Sequence, residues 1–148
     1  MPDGFRDVCL VFDEMAISKG LNYDQSTSSM VGNCTLEGAS GRASKGQVFM
    51  IGGLQFRWKQ IVAYHLTSET AQPQAVKDVI LEIIEDCFKI GLRVRCITSD
   101  MANRNVWNLF GVQCQKKNNH GHYIEHPCLP GEKLYFMPDP VHLYKNIK

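Results

Sequence analysis

Asp13 and Asp100 are the residues whose type and placement best suit chemistry. Each follows a short apolar run, 8–12 and 93–98, and they stand 87 positions apart. If the two runs are neighbouring strands, the carboxylates meet at one edge of a sheet. Two close carboxylates repel and favour protonation unless a cation neutralises them. Mg²⁺ takes oxygen ligands and keeps several waters. A pair of such ions about 3.5–4 Å apart can clamp an in-line phosphoryl displacement. The alternative is that both aspartates are solvated strand ends or turn caps.

Asp139-Pro140-Val141-His142 also reads in two ways. Asp139 can cap a helix with Pro140 in its first position and His142 on its surface, or His142 can stand beside the aspartates as a phosphate or base contact. Cys114, His120, His122, His126 and Cys128 lie within 15 residues. Zinc accepts Cys and His tetrahedrally, but these spacings match no usual finger and contain no Cys-x-x-Cys, so a plain polar loop competes with a metal site. Phe56-Arg57-Trp58-Lys59 places cations and aromatics at a hairpin tip. Arg57 and Lys59 can touch nucleic acid there, or Trp58 can pack on the sheet with the cations solvated. No Walker-type phosphate loop and no Gly-x-Ser-x-Gly elbow occurs.

These groups need elements to hold them. Residues 8–12 read as a buried strand and 18–29 as polar and turn-like. Residues 30–36 form a weak strand candidate, and 38–46, with three glycines, a loop. Strands are predicted at 47–54 and 59–67, joined by a hairpin connection at 55–58. Val76, Val79, Ile80, Ile83, Ile84, Cys87 and Phe88 recur at helical spacing, with Asp78, Glu82, Glu85 and Asp86 elsewhere on the wheel. That predicts an amphipathic helix on a sheet face, burying Val79, Ile80, Ile83, Ile84 and Phe88. Pro73 suits its first turn and Gly91 its stop. A strand at 93–98 follows, then a short helix at 102–110 ended by Gly111. Residues 113–132 read as a loop, 133–137 as a last strand, and 141–148 as the start of a helix.

Composition sets the bounds. A chain of 148 residues is one domain's worth. With 44% hydrophobic and 21% charged residues it is ordinary for a globular protein. The first half carries 6 basic and 7 acidic residues and the second 10 and 8, giving the net +1. Neither half is a broad basic clamp for nucleic acid. No apolar run approaches the ~20 residues of a membrane helix, and Met1-Pro2-Asp3 shows no basic n-region followed by an apolar stretch, so no secretory signal is expected. The six cysteines show no regular spacing, and Cys9, Cys87 and Cys96 sit in apolar segments. That pattern suits free thiols in a reducing compartment.

Four motifs then occur in order. They are Val11-Phe12-Asp13-Glu14-Met15; Trp58-Lys59-Gln60 with Ala63-Tyr64 and Leu66-Thr67; Ser99-Asp100-Met101-Ala102-Asn103-Arg104-Asn105; and Asp139-Pro140-Val141-His142-Leu143-Tyr144-Lys145-Asn146. Together they resemble the RNase H-like catalytic domain of P-element-type DNA transposases and their THAP-domain-containing relatives, over about 8–148. The resemblance implies an α/β, RNase H-like fold: a five-stranded mixed sheet, its first three strands antiparallel, with flanking helices. It implies one incomplete domain over 1–148, truncated before the last catalytic helix, without a THAP zinc finger or GTP-binding insertion domain.

It also implies Mg²⁺ (or Mn²⁺) held by Asp13 and Asp100 as catalytic residues, with Asp139 and His142 as an accessory motif. Weak nucleic-acid contacts would come from Arg57, Lys59 and Lys145. GTP is expected only in full-length relatives. Transposon-end DNA is the implied partner, a nuclear location follows, and oligomers would form through regions outside these residues. The family's third acid, a glutamate on a late helix, has no match here; Glu125 and Glu132 precede the last strand. The implied function is metal-dependent DNA cleavage and strand transfer by the full-length protein. The alternative is an inactive, degenerate or domesticated interaction module.

Overall fold

The computed structural model describes residues 3–18, 20–36, 41–68, 72–99, 104–112 and 123–138. After a 3-10 turn (Asp3–Arg6), the strands are β1 (Asp7–Ala16), β2 (Asn22–Asp24), β3 (Ser29–Val31), β4 (Lys45–Gly53), β5 (Lys59–Thr67), β6 (Arg93–Ser99), β7 (Tyr123–Glu125) and β8 (Lys133–Pro138). Helix α1 (Pro73–Lys89) lies between β5 and β6, and α2 (Arg104–Leu109) between β6 and β7. The main sheet has the order β5-β4-β1-β6-β8-β7. β1, β4 and β5 form an antiparallel meander. β6 and β8 continue it in parallel, reached through the helical crossovers.

Alternation along β1 sets the layers. Val8, Leu10 and Phe12 are fully buried, while Cys9 and Val11 face the other way and are half-buried. The buried side meets α1 through Ala75, Val76, Ile80, Ile83, Ile84 and Cys87. Helix α1 begins with Pro73 and stops at Gly91 (φ 89°), where Leu92 N–H returns to the Cys87 carbonyl at 2.8 Å. Both signals act as the sequence predicts. Ile83 is buried as expected, whereas Phe88 is 45% exposed, which corrects the predicted face. Phe88 follows Cys87 and is rotated about 100° from it, so it leaves the stripe and lines a shallow groove with Leu81, Pro127 and Cys128.

Three further expectations need correction. The sheet has a sixth strand, because β7 pairs antiparallel with β8 inside the segment predicted as loop. At three residues it is too short for alternation to be legible. Residues 22–31 form a separate exposed ribbon, β2–β3, where the sequence suggests turn and then strand. Asp24 organises its bend by accepting hydrogen bonds from Ser26 N–H at 2.9 Å, Ser26 Oγ at 2.7 Å and Thr27 Oγ1 at 3.0 Å, a local geometry that competes with a longer strand. Finally, β1 does not stop before Asp13: its pairing with β4 runs on to Ala16.

Candidate active site

The strand registers place the predicted residues. β1 pairs with β6 only as far as Phe12 opposite Ser99, and β6 pairs with β8 as far as Ser99 opposite Pro138. Phe12, Ser99 and Pro138 thus form one row across three neighbouring strands. In the sequence each is followed at once by an aspartate: Asp13, Asp100 and Asp139. Asp13 is the described member. Asp100, Asp139, His142 and Lys145 lie outside the described residues.

Asp13 is exposed, at the point where β1 leaves β6 and stays paired with β4. Alternation puts it on the face of Cys9 and Val11, away from α1. Its Oδ1 accepts the Glu14 backbone N–H at 2.8 Å. Glu14 itself pairs with Lys45 at 3.1 Å. Asp13 therefore presents a hard oxygen donor to solvent, the type that Mg²⁺ and Mn²⁺ prefer over Cys and His. Among the described residues no three His, Cys, Asp or Glu side chains converge as a metal cluster.

Trp107 and Ser99 carry a role that the sequence reading misses. Trp107 on α2 is buried, and its Nε1 donates a 2.7 Å hydrogen bond to Ser99 Oγ, the last residue of β6. Its ring meets Phe136 of β8 edge-on at 5.6 Å. One side chain thus ties α2 to the end of β6 and to the body of β8, and so steadies the row that precedes the aspartates. The available signal was a large aromatic with a polar handle eight residues after a strand-terminal serine, a residue type that finds a partner when buried.

Other candidates fall elsewhere. Lys59 pairs with Gly52, which pairs with Cys9, so Lys59 sits about 13 Å along β1 from Asp13. Arg57 lies beyond it in the exposed connection, and Trp58 packs against the core. The structure does not bring these cations to the end of the sheet where Asp13 stands. Glu125 and Glu132 flank the start of β8, also at the opposite end from Pro138. Of the His/Cys group, Cys114, His120 and His122 lie outside the described residues. His126 is buried, and its Nδ1 accepts the Cys128 N–H at 3.0 Å. Its Nε2 therefore carries the proton and donates to the Val94 carbonyl at 2.8 Å. Both ring nitrogens are committed to the fold and offer no lone pair to a metal. Burial, foremost, and the nearby Arg95 push the His126 pKa below the usual imidazole value.

Comparison with known proteins fits this geometry. Residues 1–111 match the family model described as TNP-like, RNase H N-terminal domain. Among solved structures, the chain matches the Drosophila P element transposase strand transfer complex with a TM-score of 0.73 and 23% identity. The match covers 98% of this chain and 29% of that one, so the chain spans less than a third of the protein it resembles. No curated protein sequence matches.

Proposed function

Because the chain belongs to the TNP-like family, of which it carries the RNase H N-terminal domain, we propose that it forms the first part of a metal-dependent transposase core that cleaves DNA and transfers the freed strand. The observation that carries this reading is the row of Phe12, Ser99 and Pro138, each followed in sequence by an aspartate. Asp13 and Asp100 would hold the divalent ion, Mg²⁺ or Mn²⁺, and His142, in an accessory motif with Asp139, would contact the scissile strand or orient an acid. The bound ion would neutralise the carboxylates and polarise the phosphoryl oxygens. What the chain itself contributes is position. The β1–β4 pairing holds the first carboxylate just past the end of the β1–β6 ladder, and Trp107 fixes the strand that leads to the second.

DNA is the partner this chemistry requires, and a nuclear location follows from it. Arg57, Lys59 and Lys145 would supply only peripheral phosphate contacts. A net charge of +1 gives little counterion release, so non-specific DNA affinity should be low. The third acid of the family has no counterpart in these residues. The 148-residue chain is therefore expected to bind the ion without cutting DNA.

Mn²⁺ titration followed by calorimetry tests the assignment. Asp13→Asn and Asp100→Asn should each weaken binding by about tenfold or more, since even outer-shell partners of metal ligands cost that much. Unchanged affinity in both variants would overturn the metal site and leave the interaction module as the better account. A parallel nicking assay should show no cleavage. Cleavage abolished by Asp13→Ala would mean that an acid within this chain completes the site.

A further inference from the structure

Cys9 and Cys96 are direct partners across β1 and β6, in the register that follows an irregularity at Val8/Cys9. Neighbouring strands lie about 4.8 Å apart, inside the ~4.4–6.8 Å that a disulfide spans between α-carbons. Both side chains take the sheet face opposite α1, where Cys9 is half-buried and Cys96 is 6% exposed. Thr98, the next residue of β6 on that face, has its Oγ1 3.4 Å from Cys9 Sγ. One thiol is thus reachable from solvent, with a second behind it and a hydroxyl beside it. Nothing in the proposed DNA chemistry uses any of the three.

We propose that Cys9 and Cys96 form an oxidation site for hydroperoxides, with Cys9 as the sulfur oxidised first and Cys96 as the resolving thiol. The Cys9 thiolate takes the outer peroxide oxygen. The O–O bond breaks, and the remaining oxygen leaves as alcohol or water after gaining a proton. Cys9 is then a sulfenic acid. The Cys96 sulfur attacks it, the S–S bond forms, and the S–O bond breaks with loss of water. Overall two thiols are oxidised by two electrons, and one hydroperoxide is reduced to an alcohol (or water) and a water.

The electrostatics agree with this division of roles. Hydrogen bonding from Cys96, partly opposed by burial and helped by Thr98, holds the Cys9 thiol down at about 7. The same contact, with burial, drives Cys96 well above the ordinary thiol range. The half-buried Cys9 is the thiol that peroxide can reach, and Cys96 gives its S–H proton to the departing hydroxyl when it attacks the sulfenic acid. Cys87 and Cys128 provide internal comparison, since burial raises both.

The test treats the reduced 148-residue chain with stoichiometric hydrogen peroxide, then alkylates, digests without reductant and maps peptides by mass. A peptide pair joining Cys9 to Cys96, with two hydrogens lost, is expected as the first product. Urea should abolish the selectivity. Cys96→Ser should leave a dimedone-reactive sulfenic acid on Cys9. Full alkylation of both cysteines after peroxide, or a first bridge from Cys9 to another cysteine, would overturn the proposal. Should Cys96→Ser fail to fold, the pH profile of iodoacetamide labelling of the untreated chain decides. Labelling of Cys9 should reach half its maximal rate at lower pH than labelling of Cys87 and Cys128. A Cys9 profile centred at the ordinary thiol value would refute the assignment.

Discussion

Single residues divide into those that hold the fold and those it leaves free to act, and the two kinds respond differently to substitution. Asp13 is exposed and makes one local hydrogen bond. Asp13→Asn should leave the unfolding free energy from urea titration within about 0.5 kcal/mol of the parent. Asp7, at the other end of the same strand, accepts the Nε–H of both Arg93 and Arg95 at 2.9 Å while partly buried. Asp7→Asn should therefore cost about 1–3 kcal/mol in the same measurement, and equal losses for the two variants would contradict this contrast. The Trp107–Ser99 hydrogen bond is suited to a double-mutant cycle. Trp107→Phe and Ser99→Ala should show a coupling of about 0.5–3 kcal/mol, whereas additivity would mean that the bond does not hold the end of β6. At this scale the position of Asp13, where the β1–β6 ladder ends, was legible in the sequence, because an aspartate after an apolar run stands out. Trp107 was not, because its hydrogen bond joins an element end to a side chain that only the fold brings near.

Among the elements, legibility followed length and periodicity. Helix α1 offers 17 residues of amphipathic repeat, a proline at its start and a glycine just past its end, so the sequence reading placed it well. β5 and β6 were equally plain, as β-branched and apolar runs bounded by turns. β2, β3 and β7 are three residues each, and nothing periodic can show in so short a span. The edge of the α1 stripe was misread at Phe88 because spacing alone does not say how wide the apolar contact is. The two ends of the stripe make a thermodynamic prediction. Ile83→Ala should cost about 2–5 kcal/mol as a core truncation. Phe88→Ala should cost no more than about 1 kcal/mol, since its ring is already half in water. Comparable losses at both positions, read from urea unfolding, would show that the groove beside Phe88 is closed in solution.

For the molecule as a whole, His126 gives stability a pH dependence. Its folded-state pKa lies below the usual imidazole value because burial and Arg95 disfavour the charged ring, with partial opposition from the Val94 carbonyl and Glu132. The unfolded chain therefore binds the proton more readily. The contribution is fully present above the unfolded pKa of about 6.5 and is lost as pH falls from there toward the folded value. The urea midpoint should drop between pH 7 and 5, and His126→Gln should flatten that part of the curve while lowering it overall. A parent curve that stays flat through this window would show that the ring accepts a proton in place. The family and the overall sheet were legible in the four ordered motifs, and the matches over 1–111 and across the solved structure support them. The relation between the ends of the sheet was not. Arg57 and Lys59 were readable as a hairpin tip, but only the register shows that this tip lies at the far end of the sheet from Asp13.

The order β5-β4-β1-β6-β8-β7 puts the first strand of the chain in the middle of the sheet, and that has a consequence in time. As the chain leaves the ribosome, β4 and β5 can join β1 through short-range contacts, but its other edge must wait for β6. Until then the backbone of Val8–Phe12, among the most apolar stretches in the protein, is an open template for any passing strand. The row leading to the aspartates is thus completed by a pairing that spans most of the chain, the kind that forms slowly. A fragment ending at Ser68 should accordingly self-associate where the full chain does not, and size-exclusion chromatography of the two side by side would show it. A monomeric, stably folded fragment would mean that the β1–β4–β5 meander protects its own edge, and that half of the site can be built before the other half is synthesised.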